Sequence, residues 1–212
     1  MYGPDVPRQN ALLTSPLTSP RIARLIRGGG LMACLVLASL VPLEANAQDR
    51  VRVKDAQFAT TLTEPPGYRL VGAGLFTYMI WDAYAGAYYQ ANGYPRPAPQ
   101  SSVPRKLVLH YFHAIDAADF ADVTEDTLRD QVGARDFPTI AAALRTFNAS
   151  YRDVAPGDRY SLTWDGQQLT LTLNDEVLYR APEAALASAM FGIWLGDEPL
   201  SREFRDNLLG RG

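Results

Sequence analysis

The chain has 212 residues, 47% of them hydrophobic, with 20 Lys and Arg against 23 Asp and Glu for a formal net charge of −3. That length suffices for one sizeable core, and the mildly acidic balance argues against nucleic acid or an anionic membrane as the main partner. The single cysteine, Cys34, excludes an internal disulfide framework.

In chain order, Arg21, Arg24 and Arg27 precede an apolar run, Leu31–Val41, and Ala45-Asn46-Ala47 has the small-x-small form of a cleavage site. Met1–Ala47 therefore reads as a signal peptide with an extended n-region, removed on export. The run is too short to span a bilayer, so no stable membrane span is expected after processing. Leu31-Met32-Ala33-Cys34 loosely resembles a lipoprotein box, but Gly28-Gly29-Gly30 stands where its apolar segment belongs. The expected location is periplasmic or secreted. One domain, residues 48–212, remains. Removing four arginines and two acids with the leader brings its net charge to −5. It has no cysteine, so its core must hold it together.

Gln48–Pro66 reads as a polar lead-in, strand or loop. Tyr68–Tyr89 reads as one long strand, in which Gly72 and Gly74 mark a bulge or a close backbone approach. Over its second half, Tyr78, Ile80, Asp82, Tyr84, Gly86 and Tyr88 share one face, while Ala83, Ala85 and Ala87 on the other leave room for a helix. Ala91–Pro104 is a proline-rich loop with an Asn92-Gly93 turn signal. Leu107–Ile115, apolar on both faces, reads as a central or doubly covered strand. Asp116 can cap a helix to about Gln131, and Asp136 with Pro138 opens another that aligns Ile140, Leu144, Phe147 and Tyr151.

After an Ala155-Pro156-Gly157-Asp158 turn, a meander follows. Tyr160, Leu162 and Trp164 alternate with polar residues, Asp165-Gly166 makes a hairpin, Leu169, Leu171 and Leu173 alternate again, and Asn174-Asp175 turns into the short strand Val177–Arg180. Two helices close the chain. Leu186, Met190, Ile193 and Trp194 stripe the first, and Gly196 suits a left-handed position after it. Pro199 stops it, Ser201 caps the second, and Leu200, Phe204 and Leu208 stripe that one. The order β-β-β, α-α, β-β-β, α-α gives an α+β fold, a long, mostly antiparallel sheet backed by helices.

Catalytic motifs of the nucleophile-elbow, zinc-protease and phosphate-loop kinds are absent. His110 and His113 are the only histidines. Three apart on a strand, they would face opposite ways, and with no further histidine and no mature cysteine no metal site is expected. No cofactor is expected either. Asp82, mid-strand among tyrosines, is either an acid–base group in an aromatic pocket or a carboxylate paired with an arginine at a sheet edge. Asn148-Ala149-Ser150 is a sequon in a helical context. The tyrosine-rich interior can enclose a hydrophobic ligand, or simply be a filled core.

These motifs resemble the chalcone isomerase-like family in its secreted bacterial branch. The resemblance is carried by Gly72-Ala73-Gly74, then Tyr84 and Tyr88-Tyr89, Pro156-Gly157-Asp158-x-Tyr160, Asn174, Phe191-Gly192-Ile193-Trp194-Leu195-Gly196, Pro199-Leu200-Ser201 and Leu208-Leu209-Gly210. It implies an open-faced β-sandwich. It also implies an isomerase that ring-closes a chalcone, using an arginine on the first long strand helped by threonine, tyrosine, lysine and asparagine. Here Phe76 stands in the arginine's place and Tyr84 in the threonine's, while Phe120, Val123 and Thr127 occupy the helix that carries the others. A phenyl ring cannot stabilise a developing oxyanion, and losing one such donor typically costs about 10²–10³ in rate. Non-catalytic relatives bind fatty acids, although they tend to keep the arginine.

The expectation is an exported, non-catalytic domain that binds a small hydrophobic ligand, fatty-acid-like, or a protein partner, with Phe76, Tyr84, Tyr88 and Phe120 lining the pocket. The alternatives are an isomerase (intramolecular lyase) with a rearranged site using Tyr84 or Asp82, and a structural periplasmic interaction module with a filled interior.

Overall fold

The computed structural model describes residues 49–94 and 103–212. The leader, Cys34 and the middle of the proline-rich loop lie outside the described residues.

The described chain runs β1 (Arg50–Val53), β2 (Ala56–Ala59), β3 (Thr61–Leu62), β4 (Tyr68–Tyr78), β5 (Trp81–Ala91), β6 (Arg105–Tyr111), α1 (Ala117–Asp136), a 3-10 turn (Phe137–Thr139), α2 (Ala141–Asn148), β7 (Arg159–Trp164), β8 (Leu169–Leu173), β9 (Glu176–Ala181), α3 (Ala184–Leu195) and α4 (Arg202–Leu208). Strands β3 to β9 form one antiparallel sheet in sequence order, and β1 pairs with β2 in a separate hairpin. The architecture is α+β, a curled antiparallel sheet backed by helices, as expected. The lead-in is more structured than its sequence suggests, because its short strands carry few apolar residues.

The long strand expected over Tyr68–Tyr89 is two strands. The chain reverses at Met79-Ile80, so Tyr78 pairs with Trp81 and Phe76 with Tyr84. Met79 takes a positive φ of 55°. Neither residue is a usual turn former, and the unbroken apolar alternation hid the reversal. The faces differ accordingly. Ala85, Ala87 and Ala91 meet Ala56 and Phe58 of the β1–β2 hairpin and not a helix, and Tyr89 donates to the Ala59 carbonyl at 2.9 Å.

The helix lies on the glycine face instead. A Cβ on Gly72 would sit 2.1 Å from the Asn207 carbonyl oxygen, and one on Gly86 2.5 Å from Phe204 Cζ. These glycines let α4 settle directly on the backbone of β4 and β5. Ser201 caps α4 by accepting from the Phe204 N–H at 3.2 Å.

Four further expectations need correction. Gly196 is extended (φ −75°, ψ −173°), so α3 ends without a left-handed residue. Asp116 precedes α1 but makes no side-chain cap; Asp153, brought close by the Ile115–Val154 bridge, accepts from the Ala117 N–H at 2.8 Å. Helix α1 also runs past Gln131, with a kink at Gly133 (φ 78°). The strand expected to reach Ile115 ends at Tyr111.

Candidate functional site

Period-two alternation sorts the helix-facing side of the sheet into cross-strand rows. The first is Phe76, Tyr84 and Tyr111; the next holds Gly86, Leu109 and Tyr160. A third holds Tyr88, Leu107, Leu162 and Leu171, and a fourth Gln90, Arg105, Trp164 and Leu169. Helix α1 contributes Phe120 and Thr124, and α3 contributes Met190, Ile193 and Trp194. Sheet and helices do not close on one another over the first three rows. They leave a cavity of about 340 Å³ whose lining is almost wholly apolar and aromatic.

Of the residues singled out in the sequence, Phe76, Tyr84 and Phe120 line this chamber. Phe76 stacks on Tyr84 with centroids 4.7 Å apart and planes 11° apart. Phe120 meets Tyr111 edge-on at 5.4 Å and stacks on Tyr151 at 5.4 Å. Tyr88 does not line it: it is fully buried on the same sheet face, outside the cavity wall. The register places Tyr88 opposite Gly72 and two residues from Gln90, in the chamber's third row but not on its wall.

The lining hydroxyls of Tyr84, Thr124, Tyr151 and Tyr160 are bonded within the protein. Trp194 Nε1–H donates to Tyr84 Oη at 2.9 Å, tying α3 to β5 across the chamber. Tyr151 Oη pairs with Thr124 at 3.1 Å. Tyr160 Oη donates to the Arg152 carbonyl and accepts from the Arg152 N–H, both at 2.8 Å. Burial pushes the Tyr84, Tyr111 and Tyr151 phenols well above their usual range, so at neutral pH they are protonated hydrogen-bonding groups and not bases. The one carboxylate at the wall is Asp119, at the rim on the first turn of α1. Tyr78, Val123 and Leu200, all exposed, share that rim, and the adjoining hairpin tip projects Met79 and Ile80, each 83% exposed.

Asp82 lies outside the chamber. It accepts from Thr77 at 2.9 Å and pairs with Lys54, not with an arginine. The Lys54 and Thr77 hydrogen bonds hold its carboxyl below the usual carboxylate range, the reverse of what a proton donor needs. His110 and His113 both border a shallow cleft with Lys54 and Trp81, because β6 ends before His113 and its alternation does not carry through. Among the described residues no cluster of three His, Cys, Asp or Glu could hold a metal ion. The sequon's Asn148 donates to the Ala121 carbonyl at 3.2 Å, and its side-chain oxygen is buried.

Sequence reasoning missed Tyr111, Tyr151, Tyr160 and Trp194 as chamber wall, and Arg105 and Gln90 entirely. Arg105 opens β6 directly after a proline-rich loop and reads as a flanking charge. Only its pairing with Gln90 and Trp164 shows that it faces the helices.

The chalcone isomerase-like family model matches residues 45–210. No curated protein matches the chain. Among solved structures, a fatty-acid binding protein of Arabidopsis thaliana is similar with a TM-score of 0.60 and 14% identity, covering 76% of this chain and 96% of that one. At that identity the likeness concerns the fold, and it agrees with the sheet-and-helix arrangement above. Membership rests on the family match, which covers well over half of the chain: the chain belongs to the chalcone isomerase-like family.

Proposed function

We propose that this protein is an exported, periplasmic or secreted, binding protein for a small hydrophobic molecule of the acyl-chain kind, held between sheet and helices. The observation that carries the reading is the chamber. An apolar cavity of about 340 Å³ is of ligand size, and the buried phenols of Tyr84, Tyr111 and Tyr151 stay protonated at neutral pH and do no acid–base work. An empty space of that size between well-packed elements costs stability unless something fills it. The similar fold of a protein that binds fatty acid supports the choice of ligand class. Export rests on the basic and apolar pattern of residues 1–47.

The test is to extract the purified protein with organic solvent and examine the extract by mass spectrometry, alongside titration of the stripped protein with dodecanol. The expected result is a stoichiometric apolar molecule in the extract and saturable dodecanol binding. A clean extract together with no dodecanol binding would leave the structural-module reading. Fractionation of the producing cells, with N-terminal sequencing of the product, tests export; an intact Met1 in the cytoplasmic fraction would refute it.

A further inference from the structure

The fourth row of the sheet face holds a buried cation without a counter-ion. Arg105 is 1% exposed and Gln90 0%. Among the described residues no carboxylate pairs with Arg105, and its Nε and Nη1 have no hydrogen-bond partner; neither do both polar atoms of Gln90 nor the hydroxyl of Tyr88. The guanidinium lies over the Phe191 ring, 4.4 Å from its centroid. Burial pulls Arg105 down to about 10, and burial raises Tyr88 to about 12 with Arg105 and Gln90 acting against it, so at neutral pH the arginine is charged and the phenol protonated. A dry, unpaired guanidinium is among the costliest groups a core can contain. A ring face offsets only part of that cost.

Its position matters as much as its isolation. Leu107, Leu162 and Met190 line the chamber. Leu107 is two residues from Arg105 on β6, Leu162 is two from Trp164 on β7, and Met190 adjoins Phe191 on α3. The chamber wall therefore stops one row, roughly 7 Å along the strands, short of five unsatisfied polar atoms that include both donors and acceptors.

We propose that Arg105, with Tyr88 and Gln90, binds the carboxylate head of an amphiphile whose apolar tail fills the chamber. The proposal rests on the hydrophobic-ligand reading above and adds which end is charged and where it goes. A carboxylate matches the guanidinium fork in geometry, and its single negative charge neutralises the single positive one. A dianionic phosphate would leave a net charge in the same dry space. The Tyr88 hydroxyl and the Gln90 amide supply the remaining donors. At the opposite end of the chamber Tyr111 and Tyr84 offer only neutral phenols, which hold an anion less strongly.

The experiment compares dodecanoate, dodecanol and dodecyl phosphate, each titrated into the full, delipidated chain at pH 8. Dodecanoate is expected to bind more tightly than dodecanol by about tenfold or more, and more tightly than dodecyl phosphate. In Arg105→Met the preference for the acid should disappear while dodecanol affinity is kept, and the ligand-free protein should resist urea as well as the parent or better, because an unpaired charge has been removed. Should Arg105→Met fail to fold, Tyr88→Phe decides, with a severalfold loss of dodecanoate affinity and none for dodecanol. Equal binding of acid and alcohol to the parent would overturn the head-group site and leave the chamber reading standing; binding of none of the three would remove both. The assignment also falls if the preference survives Arg105→Met, if Tyr111→Phe abolishes it instead, or if dodecyl phosphate binds most tightly.

Discussion

Tyr84→Phe removes one oxygen from the wall and nothing else. The Trp194 indole N–H, now bonded to that oxygen at 2.9 Å, is left without an acceptor. Stranding a fully buried donor costs about 1–3 kcal/mol. Trp194 is only partly buried, so the lower part of that range applies, about 1–2 kcal/mol. For a domain of this size such a loss lowers Tm by about 2–8 °C. The ring stacking on Phe76 is retained, so no cavity term is added. Urea and thermal melts followed by far-ultraviolet circular dichroism give the number, and Trp194→Phe with the double variant closes a cycle whose coupling should be about 1 kcal/mol. A Tyr84→Phe protein within 0.5 kcal/mol of the parent, or a cycle without coupling, would refute the claim that this bond fastens α3 to β5.

Four other outcomes follow from the same geometry. Gly72→Ala should cost about 3 kcal/mol or more in urea unfolding, because its Cβ would meet α4 backbone at 2.1 Å, whereas Gly93→Ala, with nothing within 4 Å, should lose only the smaller cost of its positive φ. Replacing Met79 and Ile80 by serine should change stability by less than about 0.5 kcal/mol in the same assay, since both are 83% exposed. Asp158 is held below the usual carboxylate range by hydrogen bonds from the Ala155 N–H and the Asn174 amide; its contribution is therefore present above the unfolded carboxylate pKa and lost as pH falls through the lower folded value. Asp158→Asn should flatten that acid limb of a stability-against-pH curve, and an unchanged limb would contradict the assignment. Finally, a hydroxychalcone incubated with the protein should cyclise at its buffer rate, because the buried phenols of the wall stay protonated; turnover lost in Tyr84→Phe would favour the isomerase.

The sequence exposed the fold wherever alternation met recognisable turn chemistry. Asp165-Gly166 and Asn174-Asp175 fall between the meander strands as their residue types dictate, with positive φ at Gly166, Asn174 and Asp175. It failed where the turn carried none: Met79-Ile80 reverses the chain with two apolar residues, and the face assignment after it went with it. The glycines at 72 and 74 announced a close approach but not its source, since α4 arrives from more than a hundred residues away. Phe76, Tyr84 and Phe120 were legible as wall because they are large and apolar in the right rows. Tyr88, in an equally suitable pattern, lies beyond the wall because cavity limits depend on how α3 seats on the sheet. Arg105 was illegible for a similar reason. Nothing local to Pro104-Arg105-Lys106 distinguishes the buried cation from Lys106, its neighbour on the opposite face, which pairs with Glu64 at 2.6 Å.

The most direct measurement of the chamber itself is nuclear Overhauser spectroscopy of the delipidated protein with dodecanoate carrying a ¹³C-labelled terminal methyl. The account predicts contacts from that methyl to the rings of Phe76, Tyr84 and Phe120. Contacts confined to the exposed tip at Met79 and Ile80, or none to any ring of the wall, would contradict it.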